Sequence, residues 1–405
     1  MEKKELELYI HIPFCVKKCN YCDFLSFPAD EDTQTAYVTA LKKEIAFYGN
    51  RMKDRRISTI YIGGGTPSWL TERSMASILQ QVYDAFEVAA DAEISIECNP
   101  GTIAETKFVS YRQSGINRLS IGLQSPDNVE LKILGRIHTF EQFLKTYDMA
   151  RAHGFTNINI DLMNALPGQT AEKAYASLQK VLRLKPEHIS AYSLMIEKGT
   201  PFYDLYKFDA IKQQAGMKTD ALPDEEETYR ITKITEKALK EAGYQHYEVS
   251  NFALPGYACR HNIGYWRRID YLGVGLGAAS LLDNIRYSNT RELYDYLSGT
   301  NELRAGLWEQ EGRETLPATN LHASVEQVDR KAQMEETMFL GLRMIEGIYR
   351  SDFERAYGIP IEAVYGDTLA RLQKEELLCK REGRIYLTER GQDLSNYVLA
   401  QFLQD

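Results

Sequence analysis

Three cysteines, Cys15, Cys19 and Cys22, fall within eight residues at the end of a short apolar run, in LELYIHIPFCVKKCNYCDFLSF over residues 6–27. Sulfur ligands at this spacing suit zinc or iron–sulfur chemistry, and full protein ligation of either commonly takes four side chains. Three ligands leave one metal position open, and an open iron is a place for chemistry. Two other readings stand beside this one. Cys19 and Cys22 form a C-x-x-C pair that suits a redox dithiol, and Cys15 with His11 can complete a zinc site. In each reading the loop must be held at a strand end, and the chain downstream is read as its support.

That support alternates. Helical spacing of Leu41, Ile45 and Tyr48 predicts a helix from about Thr33 to Tyr48, followed by the strand ISTIYIGGGTPS. Helices are expected around Met75–Phe86, Glu105–Ser114 and Phe140–His153, and strands in EISIECNP, RLSIGLQS, NINIDLMNALPG and HISAYSLMIE. Strands alternating with helices imply βα units around a parallel sheet, an α/β fold, with at least six units before about residue 200. Polar and glycine-rich signals recur at the carboxyl ends of these strands, where a barrel of this kind places its site. Farther on come a helix from about Asp224 to Gly243, the segment HYEVSNFA, the loop PGYACRHNIGYW and the strand-like run YLGVGLGAAS. The chain divides as 1–298, a polar connector at 299–330, and a small winged-helix-like domain at 331–405 with helices, the hairpin LLCKREGRIYLTERG and a terminal helix.

A formal net charge of -9 and a sequence pI near 5.5 argue against a general nucleic-acid binder, so the C-terminal domain is read as a packing or partner module. The start, MEKKELELYI, lacks the apolar segment of a secretory signal and the bias of a transit peptide, and no run reaches membrane-span length. Six cysteines in 405 residues do not make a disulfide scaffold, so a reducing cytoplasm is expected, with peripheral membrane contact left open. Cys98, Cys259 and Cys379 have no ligand-spaced partner and are expected as buried structural thiols.

Several motifs follow strand ends. Gly63, Gly64, Gly65, Thr66 and Pro67 form a turn whose glycines allow close backbone approach, although a plain tight turn needs the same residues. Glu97, Gln124 and Asp161 end or lie near the ends of successive strands, and Arg136 in LKILGRIHT can pair with a carboxylate. Each alone is ordinary strand-end polarity. His261 in HNIGYW is a usual type of haem ligand, and the adjacent Tyr265 and Trp266 offer flat apolar surface, but a hydrogen-bonded structural histidine has the same sequence.

The spacing C-x3-C-x2-C, with Tyr21 just before the third cysteine, resembles the radical S-adenosylmethionine superfamily. The resemblance implies a partial (β/α)6 barrel and a 4Fe-4S cluster on Cys15, Cys19 and Cys22, with S-adenosylmethionine on the open iron. It assigns Gly64, Gly65 and Thr66 to the methionine amino group and Glu97 to the ribose or methionine portion. Gln124, Arg136 and Asp161 occupy matching positions, and Tyr9 and Tyr21 fall beside cluster and cofactor. YIHIPFC, GGGTPS, ECNPGT, NRLSIGLQS, LGRIHT, DLMNALPGQT, HISAYSL and HYEVSNFA together resemble the oxygen-independent coproporphyrinogen III oxidases and their relatives. Those oxidases carry a fourth cysteine two residues after the third, where this chain has Phe24, and a longer segment before the loop. The HN-x-x-YW pattern is similar to that of the HemW-type haem chaperones. That resemblance implies a protein that binds haem, with His261 as the ligand candidate, and passes it to acceptor haem proteins, membrane-bound respiratory proteins among them. It leaves homodimerisation open. The alternative it implies is an oxidase, a radical decarboxylase of a porphyrinogen propionate.

Overall fold

The computed structural model describes residues 3–303 and 321–403. At its centre β1 (Lys4–Ile12), β2 (Arg55–Gly64), β3 (Val88–Cys98), β4 (Arg118–Gln124), β5 (Ile158–Asn164) and β6 (His188–Ser193) lie side by side in chain order, all parallel. Parallel neighbours need a crossover, and helices supply it. They are α1 (Glu31–Gly49), α2 (Glu72–Ala85), α3 (Glu105–Gln113), α4 (Asn128–Ile133), α5 (Phe140–Ala152) and α6 (Ala171–Leu182). Their starts are written in the sequence: the side chains of Asp30, Thr71, Asp127, Thr139 and Thr170 accept the first free backbone N–H groups of α1, α2, α4, α5 and α6. This is the expected six-unit partial barrel.

The strands sort their side chains by alternation. On β1, Leu6, Leu8, Ile10 and Ile12 are fully buried in one apolar cluster with Leu41 and Ile45 of α1, Leu79 of α2, Phe108 of α3 and Phe143 of α5. Each such burial contributes about 2 kcal/mol. The residues between them, Glu7, Tyr9 and His11, face inward, as do Thr59 and Tyr61 of β2, Glu93 and Glu97 of β3, and Asn159 and Asp161 of β5. Buried polar groups persist only when bonded, and this inner face is cross-linked between strands. Ser120 donates to Asp161 at 3.3 Å, the Asn159 amide donates to Asp161 at 2.7 Å, and His188 Nδ1 meets Asn159 Oδ1 at 2.6 Å. The core lies outside the sheet; the lumen is polar.

After β6 come α7 (Pro201–Gln214), α8 (Glu225–Glu241), β7 (Gln245–Glu248), β8 (Asn251–Ala253), α9 (Arg260–Trp266), β9 (Tyr271–Val274), β10 (Ala279–Leu282), β11 (Ile285–Asn289), α10 (Leu293–Glu302) and β12 (His322–Gln327). They extend the sheet to twelve strands in the order β12-β11-β10-β9-β1-β2-β3-β4-β5-β6-β8-β7, with β9 parallel to β1. The run YLGVGLGAAS is two antiparallel strands rather than one, because Gly275 and Gly277 take φ of +102° and +67° and reverse the chain. Within the expected connector at 299–330, residues 304–320 lie outside the described ones, and His322–Gln327 pair with β11.

The HNIGYW segment forms α9, which closes the end of the barrel opposite the cysteine loop. The Glu93 carboxylate accepts from the backbone N–H groups of Arg260 and His261 at 3.2 and 3.3 Å. Gly264 faces Glu7 so closely that a Cβ there would lie 1.9 Å from Glu7 Oε1. Gly264→Ala is therefore expected to cost about 1–3 kcal/mol by overpacking, read from a denaturant midpoint. A change within experimental error would show that Glu7 can swing aside.

The last domain comprises α11 (Arg330–Gly341), β13 (Ile348–Tyr349), α12 (Arg350–Tyr357), α13 (Ile361–Lys374), β14 (Leu378–Arg381), β15 (Arg384–Leu387), α14 (Glu389–Asp393) and α15 (Ser395–Ala400). Its strands form a separate sheet, β13-β15-β14, and its own apolar cluster centres on Met338, Phe353, Ile361, Leu369 and Phe402. The expected terminal helix is two short ones. The domain docks on the sheet edge, where Ile345 N–H donates to Tyr247 O at 3.0 Å, and through Arg268 and Arg286, which reach Glu336 at 2.7 and 2.8 Å. No described helix is long and apolar enough to cross a membrane.

Candidate functional site

The cysteine loop leaves β1 at Ile12 and is tied at its base, where Cys15 N–H donates to Phe27 O and Phe27 N–H to Pro13 O. The glycine turn after β2 lies against it: Gly65 N–H donates to Ile12 O at 2.8 Å and Thr66 N–H to Phe14 O at 2.7 Å. Side chains cannot enter this contact. A Cβ on Gly65 would sit 2.7 Å from Phe14 O, and one on Gly64, which has φ +118°, would sit 2.6 Å from the His11 ring. The glycines are a tight turn and a close approach at once.

Cys15, Cys19 and Cys22 open onto one cavity of about 520 Å³ at the carboxyl ends of the strands, together with Tyr21, Gly64, Gly65, Thr66, Glu97, Gln124, Arg136 and Asp161. All six cysteines are free thiols; burial pushes Cys15 and Cys22 up. Glu97 Oε1 accepts from Tyr61 OH at 3.1 Å and Oε2 from Gly64 N–H at 3.0 Å. Burial first, and the nearby Asp161 second, raise Glu97 to about 7. Arg136 bridges two parts of the site, donating to Cys19 Sγ at 3.5 Å, to Asn99 Oδ1 at 2.6 Å and to Gly122 O at 2.8 Å. Its Nε is buried without a partner. Gln124 ends β4 at φ +70°, and its amide oxygen accepts from Tyr192 OH at 2.8 Å.

Two expected site residues lie elsewhere. Tyr9 bonds His11 Nδ1 through its hydroxyl at 3.0 Å, stacks on Tyr61, and lines a different cavity with Tyr265. His261 is 1% exposed at the closed end, with Nδ1 on Thr59 Oγ1 at 2.7 Å and Nε2 on Tyr265 OH at 3.0 Å. In this arrangement neither ring nitrogen is free to ligate iron. His261 Nδ1 also lies 3.9 Å from Glu7 Oε2, but burial lowers His261 to about 3 and raises Glu7 to about 9. Both are neutral near pH 7, and the contact is polar rather than ionic. Cys98 and Cys259 are buried as expected, while Cys379 on β14 is only half-buried.

Asn99 and Tyr192 line the cavity and were not read from the sequence. Their signals were there: Asn99 stands two residues after Glu97, and Tyr192 continues the inward alternation of His188 and Ser190. Among the described residues no group of three His, Cys, Asp or Glu side chains is arranged to hold a single metal ion. Beside a polar recess the cavity offers the three loop thiols, with the buried Cys98 at its wall donating to Ile96 O.

The model of the radical SAM superfamily matches residues 9–181, and that of the HemN C-terminal domain matches residues 328–394. The chain is 34% identical to heme chaperone HemW of Lactococcus lactis over all of its own length and 99% of that protein. It is 32% identical to heme chaperone HemW of Bacillus subtilis over 98% of both, and 41% identical to that of Escherichia coli over 67% of this chain and 69% of the other. The solved structure of coproporphyrinogen III oxidase (HemN) from Escherichia coli, a radical SAM enzyme, superposes with TM-score 0.80 at 26% identity, covering 99% of this chain and 91% of that one. The chain, with its barrel, cysteine loop and C-terminal domain, belongs to the HemW family of heme chaperones.

Proposed function

We propose that this protein binds haem and passes it to acceptor haem proteins, and that it carries a 4Fe-4S cluster with S-adenosylmethionine on the cluster's open iron. The observation that carries the reading is the full-length likeness to haem chaperones in a chain whose three loop cysteines share one cavity with the glycine turn and Glu97. The donor set fits such a cluster: three soft ligands on one loop, the buried Cys98 being turned to Ile96 O, and free volume with polar groups where a small ligand completes the coordination. When bound, the pair of cofactors supplies one-electron chemistry.

The chain's own residues position and enclose. Gly64, Gly65 and Thr66 offer peptide groups at a point where no side chain intrudes, suited to the methionine amino group. Glu97, held by Tyr61 and the Gly64 N–H, presents its carboxyl to the same recess. Gln124 and Asp161 are fixed by Tyr192 and by Asn159 with Ser120, so they can accept ribose and adenine hydrogen bonds without reorganising. Arg136 places a guanidinium at hydrogen-bond distance from the Cys19 sulfur, where it can also meet a carboxylate. Tyr21 packs on Phe202 and walls the recess. The reading places the protein in the cytoplasm, with membrane-bound respiratory proteins among its acceptors.

A second reading, the oxidase, is favoured by the superposition on coproporphyrinogen III oxidase. Against it stands Phe24, exposed at the cavity rim where the oxidases have a fourth cysteine. Anaerobic reconstitution with iron and sulfide, followed by haem titration and a coproporphyrinogen III turnover assay, separates the two. The expected result is a brown cluster absorption lost in Cys19→Ala, one haem bound per chain, and unchanged coproporphyrinogen. Turnover without stable haem binding would make the protein an oxidase.

A further inference from the structure

Cavities of about 520, 620 and 450 Å³ lie among the described residues, and charge distinguishes the last two. The first is the cysteine cavity described above. The second, about 620 Å³ between α8 and the C-terminal domain, carries Glu225, Glu236 and Asp393 against Arg343 and against Lys233, which pairs Glu236 and Asp393, and so keeps a net negative charge that disfavours a ligand bearing carboxylates. The third, about 450 Å³, lies between β9–β11, α9 and α11, and its charge has the opposite sign.

We infer that this third cavity is the haem site, an inference that rests on the haem-chaperone reading. Its walls are Tyr9, Tyr265, Tyr271, Phe339, Leu281 and Leu340, aromatic and aliphatic surface suited to a flat macrocycle. Its charged groups are Arg268, Arg286 and Glu336, a net single positive charge. Glu336 satisfies Arg286 at 2.8 Å and only one edge of Arg268, through Nε at 2.7 Å; Arg268 Nη1 goes to Asn284 at 2.9 Å. Arg268 Nη2 is buried with no partner. An orphaned guanidinium N–H is costly to bury and fits a carboxylate such as a haem propionate. Arg268 also holds φ +59°, an uncommon backbone conformation for a side chain of this size.

The placement gives the HNIGYW segment a role different from iron ligation by His261. His261 holds the Tyr265 hydroxyl, and Tyr265 presents its ring to the cavity. Tyr9 faces the same space, and its hydroxyl reaches His11 Nδ1, whose Nε2 bonds Leu25 O in the cysteine loop at 3.0 Å. A ligand on Tyr9 therefore sits two side chains from the loop that holds the cysteines. Because Glu336 belongs to α11, the same ligand also touches the junction of barrel and C-terminal domain.

The test is haem titration of the reconstituted full chain by visible absorption, with wild type, Ala279→Trp and Arg286→Gln compared at matched circular dichroism and S-adenosylmethionine binding. Ala279 lines the cavity from an exposed position, so tryptophan fills the space without entering the core. Ala279→Trp is expected to weaken haem at least tenfold and Arg286→Gln severalfold; protoporphyrin IX dimethyl ester is expected to bind wild type more weakly than the free diacid. Should Ala279→Trp fail to fold, Arg286→Gln and the ester comparison decide. Stoichiometric haem binding indifferent to both substitutions and to esterification overturns the site and leaves the chaperone reading standing. No haem binding by wild type overturns both.

Discussion

Glu44→Ala is expected to destabilise the barrel by about 3–5 kcal/mol: three buried donors lose their acceptor at roughly 1–3 kcal/mol each, toward the low end because Asn289 Nδ2 keeps its bond to Gly275 O. Glu44 lies on α1, fully buried, and accepts from three elements distant in sequence: Gly275 N–H at 2.8 Å, Asn289 Nδ2 at 2.6 Å and Tyr296 OH at 2.6 Å. Alanine would strand these donors in an apolar core. The consequence reaches the site, because the turn that Glu44 fixes presses on the cysteine loop: a Cβ on Gly277 would lie 2.5 Å from Leu25 Cδ2. Tyr37 holds the same junction, donating to His11 O at 2.7 Å and accepting from Leu276 N–H at 2.9 Å. Denaturant unfolding measures the loss, and a cluster reconstituted on the loop, as proposed above, is expected to bleach faster in air in the variant than in wild type. A stability change under about 1 kcal/mol would mean that water replaces the carboxylate, which three well-aligned donors in a dry core do not permit.

How much of this was legible in the chain follows from which signals are local. The βα alternation and the helix starts were readable because each depends on residues a few positions apart: Asp30 caps Thr33, and Thr139 makes a capping box with Gln142. The cysteine loop and the glycine turn were readable as a motif, and the cavity gathers all of the expected residues except Tyr9 and His261. Those two lie outside the cysteine cavity for one reason. A tyrosine on β1 and a histidine before Tyr-Trp reveal their residue types but not the barrel end they face, and that is set by strand parity and by where α9 docks. The hub at Glu44 left no local trace, since its partners are more than two hundred residues downstream.

The polar lumen was hidden differently. RLSIGLQS and NINIDLMN read as strands with Gln124 and Asp161 as candidates near their ends, but the inward network of Ser120, Asn159 and Asp161 shows only in three dimensions. A barrel with its apolar core outside the sheet can place polar side chains inside at little cost only if they satisfy one another. Function and stability therefore draw on the same inner face, and a substitution there changes both.

Glu7 shows the cost where that satisfaction is incomplete. Glu7 Oε2 is buried with no hydrogen-bond partner, and burial first, then Glu93 and Glu5, raise its carboxyl to about 9 from an ordinary 4.5. The folded protein therefore holds a proton there that the unfolded chain releases. Where the native state binds more protons, stability falls as pH rises, here across the window from about 4.5 to about 9. At about 1.4 kcal/mol per pH unit the loss by pH 7 is on the order of 3 kcal/mol. Glu7→Gln keeps the shape of the protonated acid and cannot ionise, so it is expected to match wild type below pH 5 and to be more stable by about 3 kcal/mol at pH 7, with the gap widening toward pH 9. The measurement is unfolding free energy against pH for both proteins. Parallel profiles between pH 5 and 9 would show that Glu7 ionises in the folded barrel and that a cation or water reaches it past α9. Diverging profiles would establish a protonated carboxyl packed against Gly264, which ties the glycine of HNIGYW to the closed end of the barrel through an uncharged contact.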